Sequence, residues 1–244
     1  MIKYFSDEIK KLKEETRKLD FRTVYIFISV AIIVFISLTF ASPSFYYDHF
    51  GINKLNSRIY WFLTDGTLMF LIPALSIKLI FKKKLSDFGF AAGDLKFGIL
   101  TAGIFYAVML VIVWIVSASE DFAAAYPQGG AALRSDIPLL MAYELCILVY
   151  MLGWEFLWRG YMLFGLKDKL GYYTIFIQMI PFFILHKGKP DLELFASIFA
   201  GIILGIQALR SRSFVYSWLL HFAVMFSIDF ISVLRYNFNY YSIL

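Results

Sequence analysis

Long apolar runs separated by short polar and basic clusters fill the chain from Val24 onward. A helix needs about 20 mostly apolar residues to cross a hydrocarbon core of about 30 Å. Seven stretches come near that length: Val24–Ala41, Ile59–Phe81, Phe97–Ala118, Ile137–Leu166, Tyr172–His186, Glu193–Leu209 and Phe214–Leu234. The fourth is long enough to cross and run on into the headgroup region. The fifth and sixth are short, are separated by Lys187-Gly188-Lys189-Pro190, and are compatible with crossing or with re-entry. Asp191 stands where it would cap the sixth helix after that proline-bearing turn. No period-two alternation of the outer-membrane barrel kind is sustained. The expected fold class is all-α, a polytopic transmembrane bundle of about seven spans.

Residues 1–22 follow another pattern. Ile2, Phe5, Ile9, Leu12 and Leu19 step by three and four, with Thr16 in one slot, and Lys, Arg, Asp and Glu occupy the other faces. This predicts an amphipathic helix lying on the cytoplasmic leaflet, with a solvated helix or a short coiled-coil contact as the alternative. The domain expectation is therefore 1–22 as a surface helix and 23–244 as one transmembrane domain. A secretory signal is not expected, because this segment is long and rich in acids.

Composition agrees: 60% of the residues are hydrophobic, 20% aromatic and 17% charged, whereas soluble domains carry about 25% charged residues. The net charge of +5 does not point to nucleic acid, because the basic residues sit in inter-helix segments. Fifteen of them fall on the side of the N-terminus, from Lys3 to Arg22 and at Lys82–Lys84, Lys96, Lys167, Lys169, Arg210 and Arg212. Six fall on the other side, at Lys54, Arg58, Arg134, Lys187, Lys189 and Arg235. By the positive-inside rule the N-terminus is cytoplasmic, and the short loops suit a bacterial plasma membrane. The single cysteine, Cys146, lies in an apolar run and reads as a small packed or lipid-facing residue.

Charged groups at mid-membrane cost about 2.5–3.5 kcal/mol on the insertion scale, yet the fourth span holds Glu144, Glu155 and Arg159. Glu155 and Arg159 are four apart and can pair; Glu144, eleven positions before Glu155, falls on the same face. At 1.5 Å per residue, Glu155 lies roughly 16 Å from the inner side, His186 about 21 Å and His221 about 12 Å. One carboxylate and two imidazoles at similar depth form a hydrolytic constellation. They also satisfy the ligand count of a catalytic zinc, in which case Glu144 would be left as base. Asp65 is expected at the interface, snorkelling, and His49 has no assigned role. Gly103, Gly201 and Gly205 are expected to permit close helix approach.

Trp154-Glu155-Phe156-Leu157-Trp158-Arg159 resembles the Glu-Glu-x-x-x-Arg motif of the CAAX prenyl protease and bacteriocin-processing (CPBP) family of intramembrane endopeptidases. Phe182-Phe183-Ile184-Leu185-His186 is similar to its Phe-x-x-x-His motif, and His221 falls where its His-x-x-x-Asn/Asp motif begins. The resemblance covers about 143–225, within a CPBP-like core at 137–234. It implies a helix bundle with a cavity in the membrane plane and peptide-bond hydrolysis needing no cofactor, a divalent metal being possible but not implied. Two positions depart from the pattern. Trp154 stands where the family has its first glutamate, held in the prenyl-protease branch to activate water, and Met225 replaces the closing Asn/Asp.

The resulting expectation is a CPBP-type endopeptidase acting on a membrane-associated peptide or protein. Glu155 would take a proton from water arriving through a cytoplasm-facing cavity, His186 would share it and His221 would stabilise the oxyanion. Arg159 would hold Glu155, Glu144 would support the site, and Asp229 is a weak substitute for the missing third-motif group. The alternative is an inactive scaffold or immunity-type protein that binds a partner through the inherited cavity. A channel or carrier relaying protons along Glu144, Glu155 and Asp229 is the third reading.

Overall fold

The computed structural model describes residues 1–238 and, among these, all side chains except those of Ile2 and Lys3. Ile2 of the N-terminal stripe, Lys3 of the basic cluster, and 239–244 at the end of the expected 23–244 domain thus lie outside the described side chains or residues. The described chain is all-helical. Helix α1 (Ile2–Thr16) precedes α2 (Phe21–Phe40), α3 (Pro43–Phe50) and α4 (Lys54–Leu75), which runs on through a π-turn at Ser76–Ile80. Next come α5 (Leu95–Val116), the short α6 (Glu120–Ala125) and α7 (Ala132–Ser135), and α8 (Ile137–Glu155). A second π-turn, Phe156–Met162, joins α8 to α9 (Leu163–Leu170), followed by α10 (Tyr173–Ile184), α11 (Asp191–Ser211) and α12 (Val215–Phe238).

The starts of these helices follow from local chemistry. Asp20, Ser42, Asn53, Asp94, Ser119 and Asp136 each accept a hydrogen bond from a backbone N–H in the first turn of the helix that follows, satisfying donors the helix itself leaves open. Asp191 does not do this. Pro190 occupies the capping position and Asp191 is the first helical residue, so its carboxylate meets the positive end of the helix without capping it.

Among the described residues six helical stretches are long and apolar enough to span a membrane: Phe21–Phe40, Lys54–Ile80, Leu95–Val116, Ile137–Leu170, Asp191–Ser211 and Val215–Phe238. The expected seventh is α10, whose 12 residues reach only about 18 Å. The turn 185–190 follows it, with Lys187 and Gly188 exposed. The multi-pass membrane character stands, with six full spans and one short helix in place of seven.

Burial shows where the centre lies. The run from Gly153 to Leu163 is buried without interruption, so the end of α8 and its π-turn are covered on all sides. Helix α5 fully buries only Gly98 and Val113 and lies at the periphery, hydrogen-bonded to α12 through Tyr106–Ser227 and to α11 through Thr101–Gln207. Helices α4 and α12 pack on α8, and α10, α2 and α4 pack on the π-turn that follows it, with α5 against α12 and α11. The α4–α8 crossing depends on two glycines. A β-carbon at Gly66 would lie 2.6 Å from the Tyr150 Cα, and one at Gly153 would overlap the Gly66 carbonyl. Gly201 and Gly205 sit close against α10, whereas Gly103 meets nothing within 4 Å, contrary to expectation.

Helix α1 extends from the bundle with Phe5, Ile9 and Leu12 uncovered. Its connection is anchored by an Arg22–Asp168 ion pair at 2.6 Å and a Lys169–Asp20 pair at 3.6 Å. Asp20 titrates below the usual carboxylate range, chiefly because the Thr23 N–H donates to it. This α1 end of the bundle also carries Lys82–Lys84 and Ser211. The opposite end is built by α3, α6, α7 and the turn 185–190.

Gly153→Ala should lower stability by about 1–3 kcal/mol through forced separation of α4 from α8, read as a drop in thermal midpoint in detergent. Gly103→Ala should leave that midpoint unchanged. Equal midpoints for Gly153→Ala and the native protein would show that the crossing does not depend on this contact.

Candidate active site

Glu155 is the last residue of α8, and Arg159 lies in the π-turn that follows it. π-turns are rare and favour functional positions; this one holds Arg159 in the centre of the bundle. Arg159 Nη1 donates to Glu155 Oε1 at 3.0 Å, with both side chains fully buried. His221, in the second turn of α12, places its Nδ1 2.7 Å from the same oxygen. A carboxylate can only accept, so Nδ1 carries a proton, and it is Nε2 that faces away from the carboxylate.

His186 lies in the turn after α10. Its Nδ1 donates to the Phe182 carbonyl at 2.7 Å, which fixes the same tautomer and leaves Nε2 as an acceptor. The Phe182 ring forms a common floor. The Arg159 guanidinium lies 3.9 Å from its centroid, and the His186 and His221 rings lie 4.5 and 6.0 Å away. Sequence spacing named Phe182 as a motif position but gave no sign that it carries a buried cation.

His186 and His221 line one cavity of about 40 Å³. A water needs about 10–15 Å³ of such space, so the cavity holds a few waters at most. Trp154 and Met225 line it too; Trp154 stands edge-on to His186 at 5.8 Å. The two departures from the family motifs therefore border the cavity with apolar bulk. Glu155 is absent from its lining and reaches it only through His221. The three expected site residues are thus linked, but the carboxylate sits one layer behind the imidazoles.

The remaining candidates lie elsewhere. Glu144 reaches the carboxyl of Asp229 on α12, and otherwise neither of its oxygens meets a donor. It is separate from the histidine cavity despite its helical register with Glu155, and Asp229 is drawn to it instead of substituting beside His221. Asp65 is not interfacial. It is buried, accepts from Trp61 Nε1 at 3.2 Å and lines a second, larger cavity. Exposed His49 stacks on Phe45 at 4.0 Å. Among the described residues no three His, Cys, Asp or Glu side chains converge as a metal site. Glu155 is already engaged by Arg159 and His221, so the zinc ligand set does not assemble.

The larger cavity, of about 510 Å³, shares Trp61, Gln128, Tyr150, Trp154, Leu185 and Lys189 with the smaller one and forms its vestibule. It opens among Ser42, Lys54, Gln128 and Lys187, at the end away from α1. The expectation placed the opening on the N-terminal side; the topology of α2, α4 and the turn after α10 puts it on the other. Four of the six basic residues at this end, Lys54, Arg58, Lys187 and Lys189, line the vestibule, and sequence counting took them only as markers of orientation.

Residues 136–227 match the family model of the type II CAAX prenyl endopeptidases, Rce1-like. That segment is an Rce1-like domain. It contains α8 with Glu155, the π-turn with Arg159, α10, α11 and the half of α12 that carries His221. No curated protein and no solved structure matches the chain. Within the Rce1-like domain, the Glu155–Arg159–His221 cluster occupies the most deeply buried layer.

Arg159→Met should destabilise the protein by about 3–5 kcal/mol, because Glu155 would be left buried without its cation. Adding Glu155→Gln should recover much of the loss in thermal midpoint, and additive losses in the double variant would refute direct pairing.

Proposed function

We propose that the chain is an intramembrane endopeptidase of the CAAX type, in which His221 is the general base and Glu155 its orienting partner. The supporting observation is the 2.7 Å contact between Glu155 and His221 Nδ1, on a ring that lines a water-sized cavity. A base must reach the water it deprotonates. His221 and His186 meet that condition, whereas Glu155, behind the imidazole, does not. This moves the base from the carboxylate to the ring.

In this reading His186 Nε2 accepts one hydrogen of the attacking water while His221 Nε2 removes the other. The water oxygen bonds to the scissile carbonyl carbon, and the negative charge of Glu155 stabilises the imidazolium that forms. The Gln128 amide and Lys189 ammonium, which border the same cavity, supply donors for the oxyanion. His221 then returns its proton to the leaving nitrogen as the C–N bond breaks, giving a carboxylic acid and an amine. No step uses a metal. Fifteen basic residues at the α1 end favour a cytoplasmic placement for that end, in a bacterial plasma membrane, so substrate and water enter from the outer side.

Trp154 and Met225 favour a second reading, a partner-binding scaffold without turnover. Both narrow the cavity to about 40 Å³, room for water but not for a peptide group beside it. One assay separates the readings: release of fluorescence from quenched peptides tethered by a lipid anchor in liposomes containing the purified protein. The native chain should cleave at least one sequence of a varied set, His221→Ala should lose about 10²–10⁴ of the rate, and His186→Ala should lose activity too. Turnover by the native protein no greater than that of His221→Ala throughout the set would leave the scaffold.

A further inference from the structure

The vestibule is unusual in its charge. Lys54, Arg58 and Lys187 line it, and none has an acidic partner among the described residues. Lys189 is the exception, held by Glu193 at 3.4 Å and donating to the Tyr126 hydroxyl at 2.9 Å. The acid on the wall, Asp65, accepts from Trp61 and does not pair with a vestibule cation. Arg58 is half-buried, with its guanidinium 5.3 Å from the Trp61 ring centroid and its Nε buried without a hydrogen-bond partner. Cations held near a low-dielectric wall without counter-charges focus a positive potential into the space they surround.

The position of this field bears on the site. The vestibule is about 510 Å³, within the range of pockets that enclose small ligands, and it shares six wall residues with the histidine cavity. An occupant of the vestibule therefore has one end at the histidines. Its outer walls come from the loops and helix ends around Ser42, Lys54, Gln128 and Lys187, at the end of the bundle, and its inner walls from Ser37, Trp61, Asp65 and Tyr150 on the spans. Trp61, Tyr150, Trp154 and Leu185 add apolar surface between the cations and the histidines. Access from the end of the bundle, a mixed aromatic and cationic wall, and continuity with the site all suit a short peptide segment that carries carboxylate.

We propose that this vestibule is a substrate-selecting subsite that binds carboxylate groups of a peptide, through Lys54, Arg58 and Lys187, on the side of the scissile bond facing the end of the bundle. This rests on the peptidase reading for its place in catalysis, but the binding itself is measurable without turnover. The carboxylate comes either from Asp and Glu side chains or from the free C-terminus, and the two sources are separable.

The test uses the native protein in phosphatidylcholine nanodiscs and fluorescent hexapeptides with N-methylated backbones, which resist hydrolysis. One set differs only in Glu against Gln; another differs only in a free acid against an amide at the C-terminus. Acidic members of at least one set should bind about tenfold more tightly than their neutral counterparts. That preference should disappear in 0.5 M salt and shrink in Arg58→Gln and in Lys187→Gln, the latter an exposed turn position tolerant of change. Which set shows the preference identifies the source of the carboxylate. Equal affinity for acidic and neutral peptides, or a preference unmoved by both variants, overturns the proposal. So does displacement of the peptide by phosphatidylglycerol in the nanodisc, which would assign the cations to a lipid headgroup. Because no cleavage is read, a charge preference without turnover would sink only the peptidase reading, and turnover without a charge preference only the subsite.

Discussion

A single buried carboxylate organises the centre of this membrane protein. Glu155 Oε1 accepts from Arg159 on its own helix and from His221 on α12, at a depth where an isolated charge would be strongly unfavourable. The pairing therefore does more than add one hydrogen bond. It requires the π-turn that holds Arg159 at the core, the Phe182 ring that carries the guanidinium, and the approach of α12 to α8. Removing any one of these would leave a buried charge without its compensation. The Gly66–Gly153 crossing secures the other face of the same segment, so α8 is held by close backbone packing on one side and by charge on the other.

The geometry changes how the motif residues divide their work. A carboxylate that accepts from an arginine and a histidine is well suited to fixing a tautomer and stabilising a transient imidazolium, and poorly placed to meet water directly. The two imidazoles present bare nitrogens in a space sized for water. Around them Trp154 and Met225 supply apolar walls. A vestibule rimmed by cations then connects this dry centre with the end of the bundle away from α1. The Rce1-like domain thus carries its ion pair and both imidazoles on α8, its π-turn, the turn after α10 and α12.

Much of the fold was legible in the sequence because membrane solvation imposes a coarse rule: apolar length decides what crosses. The bundle class and the Glu155–Arg159 pairing distance follow from local patterns, whereas the cap expected at Asp191 is absent because Pro190 takes the capping position. The seventh span failed because apolar composition does not report where a helix stops. Helix α10 ends at Ile184, and a partly exposed turn, 185–190, follows it. Glu144 and Glu155 share a helical register, but α12 offers Asp229 to one and His221 to the other, a partition that only tertiary packing decides. Asp65 looked interfacial from its place near a span end, and the Trp61 indole and the vestibule wall bury it. The cations of the vestibule were visible as charges, while their convergence depends on the packing of α4 against the turn after α10. Gly66 and Gly153 gave no local signal that set them apart from Gly103.

The most direct measurement of the central claim is ¹⁵N solid-state NMR of histidine-labelled protein in lipid bilayers, with His221 assigned by its loss in His221→Gln. The account predicts a neutral His221 ring protonated at Nδ1, with that signal shifting when Glu155 is replaced by Gln. A ring protonated at Nε2 alone, or a His221 spectrum indifferent to Glu155→Gln, would contradict it.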